Sequence, residues 1–311
     1  KMDKHIWSNF EEINPIMVTN IMNTRKISES IITNYEKRAR AYVEIQQGCN
    51  HRCTFCTIPF GRGNNRSVPM GLISNRIKEL VRYGYNEVVL TGVDITDYGL
   101  DLPGKPSLSQ MIKRVLKAVP DLSQLRLSTI DCSEIDDDFW DLIKNEERLM
   151  PHIHISLQSG DDLILKRMKR RHNRSQVIKF CEKAKRLRPN IVFGADIITG
   201  FPTETDDMFK NTSNLIKECD LIYLHVFRYS KRLGTPASKM PQVCEKIKKE
   251  RSKILRTIGK NKLVEYKNTI IGTQKKILIE QNIKNHSIGR TQEYFKIKID
   301  SNLVEGKIYN L

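Results

Sequence analysis

The chain has 311 residues, of which 39% are hydrophobic and 29% charged. That supplies the core of one large domain plus a small one and excludes a wholly disordered chain. No apolar run reaches the about 18 residues of a membrane span, residues 1–12 are unlike a signal peptide, and the net charge of +17 calls for an anionic partner or a heavily solvated surface.

Residues 1–40 have no hydrophobic period and no metal-ligand cluster, and read as the tail or linker of a preceding domain. Position 1 is Lys1, which suggests a fragment or a processed form. From residue 41 short β-rich runs alternate with helical stretches. The runs fall at 41–46, 87–91, 124–129, 152–157, 191–197 and 221–226. Helices are expected near 71–83, 107–119, 135–147, 174–187, 205–218 and 241–266. Such alternation predicts right-handed crossovers and a parallel sheet. Six units are too few for a closed eight-unit barrel. The expected fold is α/β, a partial, open (β/α)6 barrel over residues 41–267. Residues 268–311 change texture: 275–280 and 294–299 alternate as strands, punctuated by Gly272, Gly289 and Gly306. They form a small β module with no obvious closing strand.

The charge is concentrated. Residues 166–188 hold eleven Lys/Arg against one Glu, and 245–267 hold nine against three Glu. Two solvated helix faces account for that pattern; so does a phosphate-binding surface.

Three of the seven cysteines, Cys49, Cys53 and Cys56, lie within eight residues, and the other four are scattered. An odd count without a signal peptide argues against a disulfide framework and for a reducing cytoplasm. The scattered cysteines, Cys132, Cys181, Cys219 and Cys244, read as small buried hydrophobes. The cluster has C-x3-C-x2-C spacing directly after the first strand, where parallel α/β sheets bind ligands. A structural zinc site wants four ligands, and no second cysteine pair lies nearby. His51 as a fourth ligand would crowd the loop. A 4Fe-4S cluster is normally held by four thiolates. Three thiolates leave one iron free to chelate the amino and carboxylate groups of a small molecule, whose carbon–sulfonium bond an electron could then break.

The segment CNHRCTFCTIPFGRG at 49–63, with its three cysteines, resembles the cluster loop of the radical S-adenosyl-L-methionine (SAM) superfamily. Further segments are similar to its methylthiotransferase branch: LTGVDITDYG at 90–99, RLSTI at 126–130, HISLQSG at 154–160, DIITGFPTE at 196–204 and HVFRYSKRLGTPA at 225–237. GRGNNRSVP at 61–69 resembles the subgroup acting on threonylcarbamoyladenosine in tRNA. The final β module is similar to a TRAM domain, the RNA-binding appendage of that family.

The resemblance implies a 4Fe-4S cluster on Cys49, Cys53 and Cys56, and SAM held near Thr91, Gly92, Ser128, Gln158, Arg171, Gly200 and Glu204. Each of these also has a plain reading as a strand end, helix start or β–α turn. His154, Ser156 and Gln158 share one face of a strand, expected to point into the barrel. Arg228, Tyr229 and Arg232 interleave aromatic and basic groups suited to RNA bases and phosphates. The implied chemistry is reductive cleavage of SAM to a deoxyadenosyl radical, hydrogen abstraction from carbon 2 of the adenosine beside the anticodon, then sulfur insertion and methylation from a second SAM. The implied partners are tRNA and a reducing electron-transfer protein. The isopentenyladenosine and ribosomal-protein branches are alternatives, as is a tRNA-binding fragment without complete chemistry. The family has a further N-terminal domain whose three cysteines hold a second 4Fe-4S cluster. Residues 1–48 contain no cysteine, so the chain is expected to lack that domain.

Overall fold

The computed structural model describes residues 20–24, 27 and 38–311; most of the expected tail, 1–40, lies outside them. In chain order the elements are β1 (Arg40–Gln47), α1 (Ile58–Arg62), β2 (Arg66–Ser67), α2 (Met70–Arg82), β3 (Glu87–Gly92), α3 (Leu108–Ala118), β4 (Gln124–Leu127) and β5 (Thr129–Ile130). They continue as α4 (Asp137–Asn145), β6 (His152–Gln158), α5 (Asp162–Met168), α6 (Arg174–Leu187), β7 (Val192–Thr199), α7 (Asp206–Glu218), β8 (Leu221–Arg228) and α8 (Glu245–Ile270).

The order β2-β1-β3-β4 forms one sheet and β5-β6-β7-β8 another. Apart from the short antiparallel β2, all neighbours in both are parallel. Only Ser128 separates β4 from β5, so one broken strand joins the two sheets into a six-stranded arc. This is the open (β/α)6 half-barrel that the alternation predicts.

Strand alternation sorts the two faces of the arc. Val43, Leu90, Leu127, Ile155, Ala195 and Val226 pack with Ile77, Ile112, Phe139, Phe180 and Leu215 of the covering helices. The opposite face, toward the lumen, carries Gln46, Thr91, Ser128, His154, Ser156, Asp196 and His225. Of the expected inward trio, His154 meets Asp196 and His225 on that face, whereas a register shift between Ile155 and Gln158 breaks the alternation before Gln158. Helix starts are set by local chemistry: Ser107 with Gln110, and Asn173 with Gln176, form capping boxes. The pattern reading misses α5, because seven residues are too short to show a period. It starts at the Asp161 cap and stops where Lys169 turns left-handed, φ 62°.

The C-terminal residues form an antiparallel sheet in the order β11-β10-β9-β12. Its strands are β9 (Lys276–Ile283), β10 (His286–Thr291), β11 (Lys296–Ile299) and β12 (Ile308–Asn310). Two expectations change. A closing strand does exist, β12, in register with β9 through Ile308 and Leu278. Tyr294 lies in a turn, not a strand, with φ 74°. The unanticipated β10 contains Gly289, where a Cβ would come within 2.5 Å of Ile277.

This sheet sits against the N-terminal ends of the barrel strands. Glu87 is buried there between Arg40 and Arg126, whose Nε donates to its Oε1 at 2.9 Å. Arg40 also pairs with Glu280 of β9. The Tyr294 ring has the Arg40, Arg126 and Arg290 guanidiniums 5.4, 4.8 and 4.3 Å from its centroid and stacks on His152 at 5.1 Å.

Candidate active site at the barrel mouth

The cysteine loop leaves the C-terminal end of β1 through Gly48, whose φ is 70°. A Cβ there would lie 2.0 Å from the Asn64 carbonyl oxygen, so both the conformation and the close approach require glycine. Replacing Gly48 by alanine is therefore expected to displace the loop and cut the iron retained after anaerobic reconstitution; full iron content in Gly48→Ala would contradict this.

Gln46 braces the loop from below. Its Nε2 donates to the Gly48 carbonyl at 2.7 Å and to Asn65 Oδ1 at 2.6 Å, while its Oε1 accepts from the Asp94 amide at 2.8 Å. A Cβ on Gly92 would meet Gln46 at 2.9 Å, so that glycine serves close packing at the strand end. On the far side the Thr54 amide and hydroxyl donate to the Met168 and Arg167 carbonyls, at 3.1 and 2.7 Å. The loop is thus held by β1, β3 and α5 together.

Cys53 is buried, while Cys49 and Cys56 are partly open. The His51 amide donates to Cys49 Sγ at 3.3 Å and Arg170 Nη1 to Cys53 Sγ at 3.6 Å. Burial raises the Cys49 thiol to about 11, helped by Asp94. Burial also acts on Cys53, but His51 and Arg170 outweigh it and pull that thiol below its ordinary value. Nearby carboxylates concentrate negative charge: His51 Nε2 lies 3.3, 3.5 and 3.2 Å from Asp94, Asp97 and Glu134. Burial, with those acids around it, lifts Asp94 to about 6.

The expected SAM residues are placed unequally. Thr91 and Gly92 end β3 beside the loop. Ser128 lies in the break of the barrel strand, its Oγ buried without a hydrogen-bond partner among the described residues. Gln158 ends β6 with φ 65°. Gly200 starts its turn with φ 68°, packed on Lys248. Glu204 is committed to that turn: it accepts from the Gly200 amide at 2.8 Å and from Arg251 at 2.7 Å. It shapes the Gly200 loop rather than presenting a free carboxylate.

Arg171 has a side chain 49% exposed and pairs with Glu134. Its neighbour Arg170 is the one turned toward the cysteines, bonded to Asp131 Oδ2 at 2.6 Å and the Ser156 carbonyl at 3.0 Å. Three consecutive basic residues in the sequence do not distinguish the two; the left-handed cap at Lys169 does. Arg228 and Arg232 are exposed, as RNA contacts require. Tyr229 is not: it is 4% exposed, its ring edge-on to Phe201 at 5.6 Å. It belongs to a small core and has no face for a base.

The basic segments are likewise divided. Lys248 and Arg251 of α8 are buried, and Arg170 and Arg174 hold internal partners. Of the scattered cysteines, Cys132, Cys181 and Cys219 are core residues as expected, whereas Cys244 is exposed at the start of α8.

The donor set suits the implied groups. Three thiols lie on one pinned loop, and Ser128 Oγ, Arg170 Nε and Glu134 Oε2 are buried polar atoms without partners among the described residues. A polar ligand at this mouth would satisfy such atoms.

Half-barrel and three-cysteine mouth together define the class. The family model described as the Radical SAM superfamily matches residues 43–216. Two solved structures share the fold at low identity. The radical SAM methyltransferase TsrM from Kitasatospora setae, with cobalamin and a 4Fe-4S cluster bound, superposes with a TM-score of 0.53 at 16% identity, over 64% of this chain and 36% of that one. Coproporphyrinogen III oxidase (HemN) from Escherichia coli gives 0.53 at 13%, over 85% and 72%.

Among curated proteins, threonylcarbamoyladenosine tRNA methylthiotransferase MtaB of Rickettsia prowazekii is 53% identical over 294 residues, covering 94% of this chain and 69% of that protein. The Thermotoga maritima protein of the same name is 37% identical, covering 87% and 62%. A tRNA-2-methylthio-N(6)-dimethylallyladenosine synthase of Clostridium tetani is 36% identical, covering 86% and 59%. The chain belongs to the radical SAM superfamily and, within it, to the methylthiotransferase family of these relatives. It spans between 59% and 69% of the length of these three proteins. Among the described residues no helix is long and apolar enough to cross a membrane.

Proposed function

We propose that the chain is the radical SAM part of a tRNA methylthiotransferase acting at carbon 2 of N6-threonylcarbamoyladenosine beside the anticodon. The observation that carries this reading is the pinned loop of Cys49, Cys53 and Cys56 at the mouth of a six-stranded half-barrel, in a chain 53% identical to a protein so named. Cys49, Cys53 and Cys56 would hold the 4Fe-4S cluster. That cluster, when bound, supplies the electron for reductive cleavage of SAM.

The protein's own part is to bind, orient and exclude water. Arg170, not Arg171, stands where a SAM carboxylate would find a buried guanidinium. Thr91, Gly92 and Ser128 offer a close backbone approach and a free hydroxyl on the adjoining strand ends. Gln158 and the Gly200 loop, held by Glu204 and Arg251, border the same mouth. Residues 41–267 are taken as the catalytic core, and 268–311 as a TRAM-like module that, with Arg228 and Arg232, meets tRNA phosphates. A cytoplasmic location and a reducing electron-transfer protein complete the proposal.

The test is anaerobic reconstitution of the chain, then dithionite and SAM. Formation of deoxyadenosine with visible charge-transfer absorption is expected. Bound zinc without that absorption would overturn the reading. Mass spectrometry of tRNA digests from a deletion strain decides the substrate: loss of the methylthio group from threonylcarbamoyladenosine supports it, and loss confined to isopentenyladenosine overturns it.

A further inference from the structure

Away from the cysteines, three neighbouring strands each place one metal-binding side chain at the same level of the lumen: His154 from β6, Asp196 from β7 and His225 from β8. Asp196 is the direct partner of His225 across β7 and β8, while His154 faces Gly194. That glycine is what lets the three meet. A Cβ on it would lie 2.3 Å from His154 Nδ1; without one, the imidazole lies across β7 and reaches Asp196.

Asp196 Oδ1 is 3.1 Å from His154 Nε2 and 3.2 Å from His225 Nδ1. The two imidazole centroids are 4.4 Å apart. Both contacts are hydrogen bonds as they stand, and ligand atoms of all three residues lie within 4.8 Å of one another, close enough to share one ion. With bonds near 2.1 Å, adjacent donors around one ion lie about 2.9–3.4 Å apart. The donors stand on strands rather than loops, so they are already held in place. The His154 side chain is buried, whereas His225 is 62% exposed and open to entry from the lumen.

We infer that His154, Asp196 and His225 form a binding site for a divalent first-row transition metal, separate from the cysteine loop. Two imidazole nitrogens and one carboxylate favour zinc, cobalt or ferrous iron over magnesium or calcium, which prefer all-oxygen sites. Three protein ligands leave at least one coordination position for water or another small donor. The site does not depend on the reaction proposed above, because it is tested by metal content alone.

The anaerobically reconstituted protein, its cysteine loop already filled with iron, is dialysed against Zn2+ alone and analysed for both metals. One zinc per chain is expected in addition to the iron. His225→Gln and Asp196→Asn should each weaken zinc binding by at least the about 10–100-fold seen for loss of an outer-shell partner, with iron content unchanged. His225 is exposed, so its replacement leaves the core intact, and Asp196→Asn preserves shape. X-ray absorption at the zinc edge should show nitrogen and oxygen neighbours near about 2.0–2.1 Å. A sulfur shell near about 2.3 Å, unchanged affinity in both variants, or no zinc beyond the iron would each overturn the assignment.

Discussion

Glu87→Ala is expected to cost about 3–5 kcal/mol of stability, because it leaves two buried guanidiniums without their shared carboxylate. Glu87 is almost fully buried, bonded to Arg40 and Arg126. Burial would by itself raise its pKa, but Arg126 and Arg40 more than offset this and hold the carboxyl below its usual range. The sign for pH follows. A depressed folded value means that the stabilisation is complete above the unfolded carboxylate's pKa of about 4.3 and fades as the pH falls through the lower folded value. Urea denaturation at neutral pH, repeated at acid pH, checks both statements. A loss below about 1 kcal/mol, typical of exposed pairs, would show that the arginines find other partners.

Arg170→Gln should weaken SAM binding by about ten- to a hundredfold, the equivalent of the about 1.5–3 kcal/mol of a charge-assisted hydrogen bond. Arg171→Gln should change it little. Arg170 is enclosed by Asp131, the Ser156 carbonyl and Cys53, whereas Arg171 reaches outward to Glu134. Equilibrium binding of SAM to the reconstituted protein measures the difference, with Arg170→Lys restoring part of the affinity through its charge. Because Arg170 also donates to Cys53, proposed above as a cluster ligand, its loss should shift the reduction potential of a bound cluster as well. If Arg171→Gln proves the more damaging change, the assignment fails.

The barrel was legible because its outer face and its lumen obey different rules. Val43, Leu90 and Ile155 must meet helices, while Thr91, Ser128 and His154 need not, so each strand alternates. The cysteine loop was legible because all three thiols lie in one short segment. What escaped was settled by tertiary geometry. Ser128 breaks a strand that reads as continuous, since β4 pairs with one neighbour and β5 with the other. Tyr229 resembles an RNA contact until Phe201 and Lys248 are seen against its ring. His154, Asp196 and His225 are dozens of residues apart, and only strand register brings them together. The charge on α8 reads as a solvated or a phosphate-binding face, yet Arg251 is anchored to Glu204 and Asp206.

Tyr294, wedged among three guanidiniums and stacked on His152, seals one end of the half-barrel. Any nucleotide reaching the lumen therefore has to enter from the cysteine side or through the gap that an unclosed arc leaves between its edge strands. Shut at that end, the chamber would release a base only through the openings that admit it.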